Sequence, residues 1–196
     1  MEHTLHNDGD TFKGMVATPN DATPSDATAT MQGLADRAAI GDLLTTFAVA
    51  IDSCDWPRYR SVFTDEIDLD YSSWRAGSVG RWAADDWVAR ATSLFPGFTA
   101  TRHALTNLLV ALDPEQPDLA RVRANVSADH VIVDEVGEVS VFTLNGYYDD
   151  RCTRSPDGWR IEGKRLVALW STGDRSVIDI ARARAAGDPP RQRIAY

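Results

Sequence analysis

The strongest constraint on the fold of this chain is the hydrophobic period of its second half. From residue 99 onward, apolar and polar side chains alternate in four segments, which span residues 99–112, 119–133, 138–151 and 158–171. Alternation with a period of two is typical of strands that have one buried face and one wetter face. Only short turn sequences separate the segments: DPEQPD, DEVGE and SPDG. The second half of the chain therefore predicts a four-stranded antiparallel meander.

The first half of the chain is mostly helical in its periodicity. Residues 34–53, LADRAAIGDLLTTFAVAIDS, place apolar side chains every three or four positions, which predicts a long amphipathic helix. In DWPRYRSVF, Asp55 can cap a short second helix that has Pro57 in its first turn. AADDWVARATSLF predicts a third helix. Before it, EIDLDYSS alternates and predicts a strand that directs Tyr71 inward.

This order of elements predicts a single α+β domain. We expect a cone-shaped α+β barrel, in which a curved, mostly antiparallel sheet wraps around about three N-terminal helices and leaves a ligand cavity at its open end. Both ends of the chain lack apolar periodicity, so residues 1–33 are predicted to be a flexible N-terminal arm and residues 186–196 a flexible C-terminal tail. The folded domain is then expected to span residues 34–185.

Charge and composition exclude several classes of partner. A net charge of -9 disfavours nucleic acids and anionic membrane surfaces, both of which require clustered Lys and Arg. The longest apolar runs, such as residues 166–170, are far shorter than the roughly 20 residues of a membrane span. The N-terminal sequence does not resemble a secretory signal, which predicts a cytoplasmic protein. Cys54 and Cys152 do not have a zinc-ligand spacing and are interpreted as ordinary thiols.

Several polar side chains fall on strand faces that are otherwise apolar. They are His103 in the first long strand, His130 in the second, and Thr143 and Asn145 in the third. An unpaired buried polar group costs about 1–3 kcal/mol, so such residues are retained where they pair with each other or with a ligand. In the first long strand, the predicted inward row is His103, Leu105, Asn107 and Leu109. In the third long strand, it is Val139, Val141, Thr143, Asn145 and Tyr147.

Each candidate taken alone also has an ordinary structural explanation. An inward histidine is more often a satisfied core residue than a catalyst, and Asn145 alone fits a strand end or a bulge. Tyr71 alone fits the hydrophobic core, and Asp52, which follows the apolar Ile51, fits a solvated helix end or a cap.

The candidates together resemble the scytalone dehydratase family. IDSCDWPRYRSVFTDEIDLDY is similar to a family segment in which an Asp near the end of the first helix precedes an Asp-Trp pair and, 19 residues after the first Asp, a strand tyrosine; here these are Asp52 and Tyr71. TRHALTN resembles the family's Thr-x-His strand and places His103 on its histidine. His130 matches the second histidine, and FTLNGYYDDRCTRSPDGWRIEGKRL places Asn145 on the site asparagine. The resemblance covers roughly residues 34–175.

This resemblance implies a dehydratase that needs neither a cofactor nor a metal and removes water from a β-hydroxy ketone. His103 would act as base and acid, Asp52 would orient it, and Tyr71 would donate a hydrogen bond to the carbonyl oxygen. His130, the fourth expected catalytic residue, and Asn145, a substrate-binding residue, would hold the leaving hydroxyl or other substrate oxygens. The other expected substrate-binding residues, suited to a small apolar, aromatic or polyketide-like ketone, are Thr143, Trp56, Phe63, Val126 and Val141.

One position departs from the family pattern. The family has a second tyrosine immediately before its Asp, and this position is Ile51 here. Carbonyl activation is therefore expected to rest on Tyr71, alone or with a water molecule.

The resemblance leaves other functions open. Scytalone dehydratase belongs to the nuclear-transport-factor-2-like (SnoaL-like) group, which also contains polyketide cyclases, ketosteroid isomerases, epoxide hydrolases and the non-catalytic small subunits of ring-hydroxylating dioxygenases. Fold alone does not decide among them. A dehydratase of this kind is expected to act in secondary-metabolite biosynthesis, such as that of an antibiotic. Because a partner copy usually covers the open sheet face in this group, we also expect a homodimer or homotrimer.

Overall fold

The computed structural model describes residues 24–75 and 78–187, and every structural statement below concerns these residues. The chain begins with helices α1 (Pro24–Ser53) and α2 (Trp56–Ser61), strands β1 (Phe63–Asp70) and β2 (Val79–Ala83), and helix α3 (Ala84–Thr92). A 3-10 turn at Phe95–Gly97 leads into strands β3 (Ala100–Leu112), β4 (Leu119–Val133), β5 (Val139–Ser155) and β6 (Gly158–Gly173), followed by helix α4 (Ser176–Ala186).

The six strands form one curved sheet in the order β2-β1-β6-β5-β4-β3. Every neighbouring pair is antiparallel except β1 and β6, which run parallel. The predicted α+β class and the antiparallel meander are therefore confirmed. Strand β2 and helix α4 were not predicted from the sequence.

The helices pack on the concave face of the sheet and form the core with it. Ile40, Leu44 and Phe47 of α1 are almost completely buried, which confirms the predicted apolar stripe of this helix. Asp55 caps α2, because its side chain accepts a hydrogen bond from the backbone N–H of Arg58 at 3.1 Å. α1 begins at Pro24, so the helix extends into the segment that was predicted to be an arm. The remainder of that arm, and most of the predicted tail, lie outside the described residues.

Strand β3 contains an irregularity near its middle. Asn107 has a φ of 52°, and the register between β3 and β4 shifts between Thr106 and Leu109. Such a bulge interrupts the alternation of side chains. The prediction that Asn107 and Leu109 share the inward face of His103 is therefore wrong, and Leu109 is about half exposed.

A charged pair lies inside the core between β5 and β6. Lys164 donates a hydrogen bond to Asp150 at 2.7 Å, and both side chains are fully buried. The ammonium group also lies 3.6 Å from the centroid of the Tyr148 ring and 3.9 Å from that of Phe47. Burial raises the pKa of Asp150 to about 6, partly offset by Lys164, and lowers that of Lys164.

None of the helices in the described part of the chain combines the length and the hydropathy that a membrane crossing requires.

Candidate active site

A cavity of about 380 Å³ opens between the helices and the concave face of the sheet. This volume lies within the range of small-molecule sites, roughly 300–1,000 Å³. All four helices and all six strands contribute to its wall. The lining residues are Phe47, Ile51, Tyr59, Leu69, Tyr71, Trp74, Arg75, Ser78, Trp82, Trp87, Arg90, Ala91, Ser93, Leu94, Phe95, His103, Ala128, His130, Phe142, Leu144, Tyr148, Leu166, Ile178 and Arg182.

His103 reaches this cavity from β3 and is held from behind by Asp52. Asp52 lies in the last turn of α1, which ends where Cys54 takes a left-handed conformation with φ 54°. Nδ1 of His103 lies 2.7 Å from Oδ1 of Asp52, and the backbone N–H of His103 donates to Oδ2 at 2.7 Å. Thr101, two residues earlier on the same face of β3, donates its hydroxyl to Oδ1 at 2.9 Å. The structure thus joins Asp52 and His103, which the sequence places 51 positions apart.

These hydrogen bonds determine the charge of Asp52 and the tautomer of His103. Burial opposes ionisation of the carboxyl, but the hydrogen bonds from His103 and Thr101 outweigh it and hold the pKa of Asp52 below its usual value. An ionised carboxylate only accepts hydrogen bonds, so Nδ1 of His103 carries the hydrogen. With Nδ1 directed to Asp52, Nε2 is the ring nitrogen that remains for a ligand in the cavity.

His130 lies beside His103 on the cavity wall. It faces Thr101 across the β3–β4 pair, and the two imidazole centroids are 5.8 Å apart. The rings of Phe95, Phe98 and Phe142 surround it at centroid distances of 5.0–6.2 Å. Burial, together with repulsion from His103, lowers the pKa of His130 to about 4. His130 is therefore neutral at pH 7.

Three tyrosines line the same cavity, Tyr59, Tyr71 and Tyr148, and Tyr71 and Tyr148 contact each other. Tyr71 directly follows β1 and lines the cavity, so it points inward as the alternation predicted. Its ring packs against Trp87 at a centroid distance of 5.1 Å. Burial raises the pKa of Tyr71 well above its usual value, and repulsion from neighbouring acidic groups and a hydrogen bond with Tyr148 add to this effect. Burial also raises the pKa of Tyr148 well above its usual value. Both hydroxyls therefore stay protonated at neutral pH and can donate hydrogen bonds.

Three residues that were predicted to line the site lie on the outer face of the sheet. The inward row of β5 is Phe142, Leu144, Gly146, Tyr148 and Asp150, so the predicted inward positions of Thr143, Asn145 and Val141 are wrong. Thr143 donates its hydroxyl to Asp129 on that outer face, and Val141 is 38% exposed. Both rows of β5 contain apolar residues. Alternation alone could not choose which row faces inward. Phe142 of β5 pairs with His130 of β4, and this register directs the row of Phe142 toward the cavity.

Three other predicted contacts belong to the core rather than to the cavity wall. Phe63 packs edge-on against Phe47 and Tyr59, and Val126 is buried within β4. Trp56 is half-buried and packs against Tyr59. None of the three is among the described residues that line the cavity. Their apolar character indicated burial correctly, but it does not distinguish a core contact from a ligand contact.

Several lining residues were missed at the sequence level. Tyr148 lies on the inward row of β5 that the sequence reading assigned to the other face. Trp87, Arg90 and Arg182 come from α3 and α4. In α3, Trp87 precedes the basic residue Arg90 of the last turn, and this large aromatic side chain in a predicted helix could have been named as a candidate for the cavity wall. α4 offered no such signal, because its position depends on contacts with Gly97 far away in the sequence.

Within the described ranges, no three or more His, Cys, Asp or Glu side chains come together in an arrangement that could hold a metal ion.

Comparison with known proteins establishes the family. Residues 32–165 match the family model described as a SnoaL-like domain, and the chain therefore belongs to the SnoaL-like family of the nuclear-transport-factor-2-like superfamily. An uncharacterised protein of Mycobacterium tuberculosis is 31% identical over 129 residues, which cover 65% of this chain and 82% of that protein. The crystal structure of a Kribbella flavida protein is similar with a TM-score of 0.66 and 28% identity, and the match covers 76% of this chain and 99% of that one.

Two further crystal structures share the fold at lower identity. One is a candidate scytalone dehydratase from Novosphingobium aromaticivorans, with a TM-score of 0.60 and 20% identity over 74% of this chain and 92% of that one. The other is the hexachlorocyclohexane dehydrochlorinase LinA-type3 from Novosphingobium barchaimii, with a TM-score of 0.58 and 19% identity over 74% of this chain and 94% of that one. Both match the predicted cone-shaped architecture.

Proposed function

We propose that this protein is a cofactor-independent lyase that eliminates water from a β-hydroxy ketone. The observation that carries the proposal is the hydrogen-bonded pair of Asp52 and His103, which lies at an aromatic cavity that is also lined by the protonated tyrosines Tyr71 and Tyr148. A base, an acid and a donor to a carbonyl oxygen are the groups that such an elimination needs.

His103 performs both proton transfers in this mechanism. Nε2 takes the proton from the carbon next to the carbonyl, and the electron pair of that C–H bond moves onto the carbonyl oxygen as an enolate forms. When the enolate collapses, the C–O bond to the β-hydroxyl breaks and the imidazolium of His103 returns the proton to the departing oxygen. The products are an enone and water. The carboxylate of Asp52 stabilises the imidazolium between the two steps.

Tyr71 and Tyr148 stabilise the enolate. A fixed donor in a cavity with little water is worth several kcal/mol to a developing oxyanion. The hydroxyl of Tyr148 takes the place of the family's second tyrosine, whose position is occupied by Ile51 in this chain. We propose this tyrosine pair in place of the sequence-based expectation that Tyr71 acts alone or with water.

His130 binds the leaving hydroxyl rather than exchanging protons. It is neutral at pH 7, and it lines the cavity wall beside His103. A neutral imidazole has one nitrogen that donates and one that accepts a hydrogen bond, so His130 can bind one substrate oxygen. The aromatic rings of the wall, among them Trp74 and Trp87, suit a flat aromatic or polyketide-like ketone.

The names of the structural neighbours agree with an elimination. A dehydratase removes water and a dehydrochlorinase removes hydrogen chloride, and both fold as this chain does. At about 20% identity these neighbours support only the fold, so the support for the chemistry comes from the residues of this cavity. Action in secondary-metabolite biosynthesis and assembly into a homodimer or homotrimer stay predictions.

The experiment is an assay of aromatic β-hydroxy ketones, in which the enone product is followed by its ultraviolet absorbance and identified by mass spectrometry. We expect the wild-type protein to form enones and His103→Ala to lose at least 1,000-fold in kcat, as for a general base that serves two steps. Asn145→Ala is the matched control, because the structure places it on the outer sheet face, and it should retain wild-type kcat.

Three outcomes would contradict the proposal. Activity of His103→Ala within tenfold of wild type would remove His103 from the mechanism. Rearranged or cyclised products, or diols formed from epoxides in the same screen, would point to the isomerase, cyclase or epoxide hydrolase alternatives. Absence of turnover together with stable co-purification of a larger subunit would favour a non-catalytic role.

A further inference from the structure

The cavity changes in character from its inner end to its opening. Its inner wall carries the two histidines and the aromatic side chains, which are buried or half-buried. Among the described lining residues, the exposed ones are Arg75, Arg90, Ser93 and Arg182. Exposure places these four at the opening, and three of them are arginines. We call Arg75, Arg90 and Arg182 the rim arginines.

No carboxylate faces the rim arginines from the described cavity wall. The lining residues include neither Asp nor Glu, because Asp52 lies behind His103. This local excess of positive charge is opposite in sign to the net charge of the protein, which is -9. A cleft with one sign of charge and apolar walls attracts ligands of the opposite charge.

The rim arginines form few ion pairs with the rest of the described protein. Among the described residues, neither Arg75 nor Arg90 forms an ion pair. The guanidinium of Arg90 lies 5.6 Å from the centroid of the Trp82 ring, so an aromatic face supports it while its donors stay accessible. Arg182 pairs with Asp179 at 2.8 Å, but the two side chains are 53% and 82% exposed, and such surface pairs contribute little.

The three rim arginines come from three separate elements. Arg75 follows β1, Arg90 lies on α3, and Arg182 lies on α4. The guanidinium group presents a planar fork of donors that fits the oxygens of a carboxylate or a phosphate. Three such groups at one opening are chemically suited to an oxyanion at the outer end of a bound molecule.

We propose that the ligand of this cavity carries an oxyanion, a carboxylate or a phosphate ester, which the rim arginines bind at the opening while the apolar ketone end reaches His103. The assignment of the ketone end rests on the proposed function, whereas the anionic end rests on the rim arginines alone. The substrate class is thus an anionic aromatic ketone rather than a neutral one.

The test is a binding measurement with two unreactive, matched probes. 6-Acetyl-2-naphthoic acid carries a ketone at one end and a carboxylate at the other, and 6-acetyl-2-naphthamide differs only in lacking the charge. Quenching of the cavity tryptophans gives the Kd of each probe. We expect the wild-type protein to bind the acid at least tenfold more tightly than the amide, with a preference that weakens as salt is raised from about 0.05 M to 0.5 M.

Variants assign this preference to the rim arginines. The double variant Arg90→Gln/Arg182→Gln should bind the acid and the amide within twofold of each other. Arg121→Gln is the control, since Arg121 is an exposed arginine on the outer face of β4, and it should keep the wild-type preference. 6-Acetyl-2-naphthyl phosphate, measured in parallel, shows whether the opening prefers a phosphate to a carboxylate.

Two results would overturn the proposal. One is a wild-type protein that binds the amide as tightly as the acid, or binds neither anion. The other is a double variant that loses acid and amide affinity equally, because the arginines would then act by packing. The two proposals can fail separately. If the protein prefers the acid to the amide but dehydrates no β-hydroxy ketone, the anionic ligand is supported and only the proposed elimination is wrong.

Discussion

The carboxylate of Asp52 accepts two hydrogen bonds from a single residue, His103, one from the imidazole and one from the backbone. Each lies at 2.7 Å and engages a different carboxylate oxygen. The carboxylate therefore cannot rotate without losing a contact, and the last turn of α1 is fastened to β3. The orientation of the imidazole is thus set by the scaffold and not by one flexible side chain.

Thr101 supports this arrangement and should affect catalysis without touching the ligand. Thr101→Val removes the hydroxyl that donates to Oδ1 of Asp52. Because that hydrogen bond favours the ionised carboxyl, its loss raises the pKa of Asp52, and the acid side of the pH–rate profile should move to higher pH. We expect kcat to fall about 3- to 10-fold, the value of one hydrogen bond. Thr106→Val, on an exposed position of the same strand, is the control, and an identical pH profile in both variants would contradict this role.

His130 should make the protein less stable in acid. Its pKa is about 4 in the folded state against an ordinary 6.5, so between these pH values the unfolded chain binds a proton that the folded chain does not. The free energy of unfolding therefore falls as pH falls through this window, by roughly 2–3 kcal/mol between pH 7 and 4.5. His130→Phe should lose this part of the pH dependence. Urea unfolding of both proteins at the two pH values measures it, and parallel losses in both would refute the assignment.

The buried pair of Asp150 and Lys164 should depend strongly on both partners. Lys164→Met leaves a buried carboxylate without its cation, and the expected cost is about 3–5 kcal/mol in the free energy of unfolding. Asp150→Asn/Lys164→Met removes both charges and should be more stable than Lys164→Met alone. Arg81→Gln breaks an exposed pair with Glu66 and should cost less than about 1 kcal/mol. Equal losses in all three variants, measured by urea unfolding, would argue against an electrostatic origin.

Gly97 should control the position of α4. A Cβ at Gly97 would lie 1.8 Å from the carbonyl oxygen of Ala181, so Gly97→Ala must displace α4 or the 3-10 turn. We expect a loss of about 1–3 kcal/mol or more in stability, with weaker ligand binding because α4 carries Arg182. Gly41→Ala, which meets no atom within 4 Å, should be neutral or stabilise α1 by up to about 1 kcal/mol. Thermal unfolding measures both, and a wild-type Tm for Gly97→Ala would show that the contact is not maintained.

The elements with a clear period were predictable. The four long strands are segments of period two that short turns separate, and each was located close to its observed bounds. The same alternation placed Tyr71 and His130 inward, where the structure has them. Local patterns sufficed for these residues, because the period of a strand is a property of the segment itself.

The parts of the site that depend on tertiary pairing were not predictable from local patterns. Both rows of β5 contain apolar residues, and only the register with β4 directs Tyr148 inward and Asn145 outward. Lysine is usually a surface residue. The burial of Lys164 depends on its hydrogen bond to Asp150, 14 positions away on the neighbouring strand. In each case the deciding partner lies on another strand, beyond the reach of any short window of sequence.

The last helix lies beyond the region that matches the family model, which ends at residue 165, yet α4 supplies Ile178 and Arg182 to the cavity wall. His103 and Asp52 lie within the matched region, and so do Arg75 and Arg90 at the opening. One of the three rim arginines therefore comes from a helix outside the region that the family model covers. A relative that kept this region and changed only its last helix would retain Asp52 and His103 and alter one side of the opening.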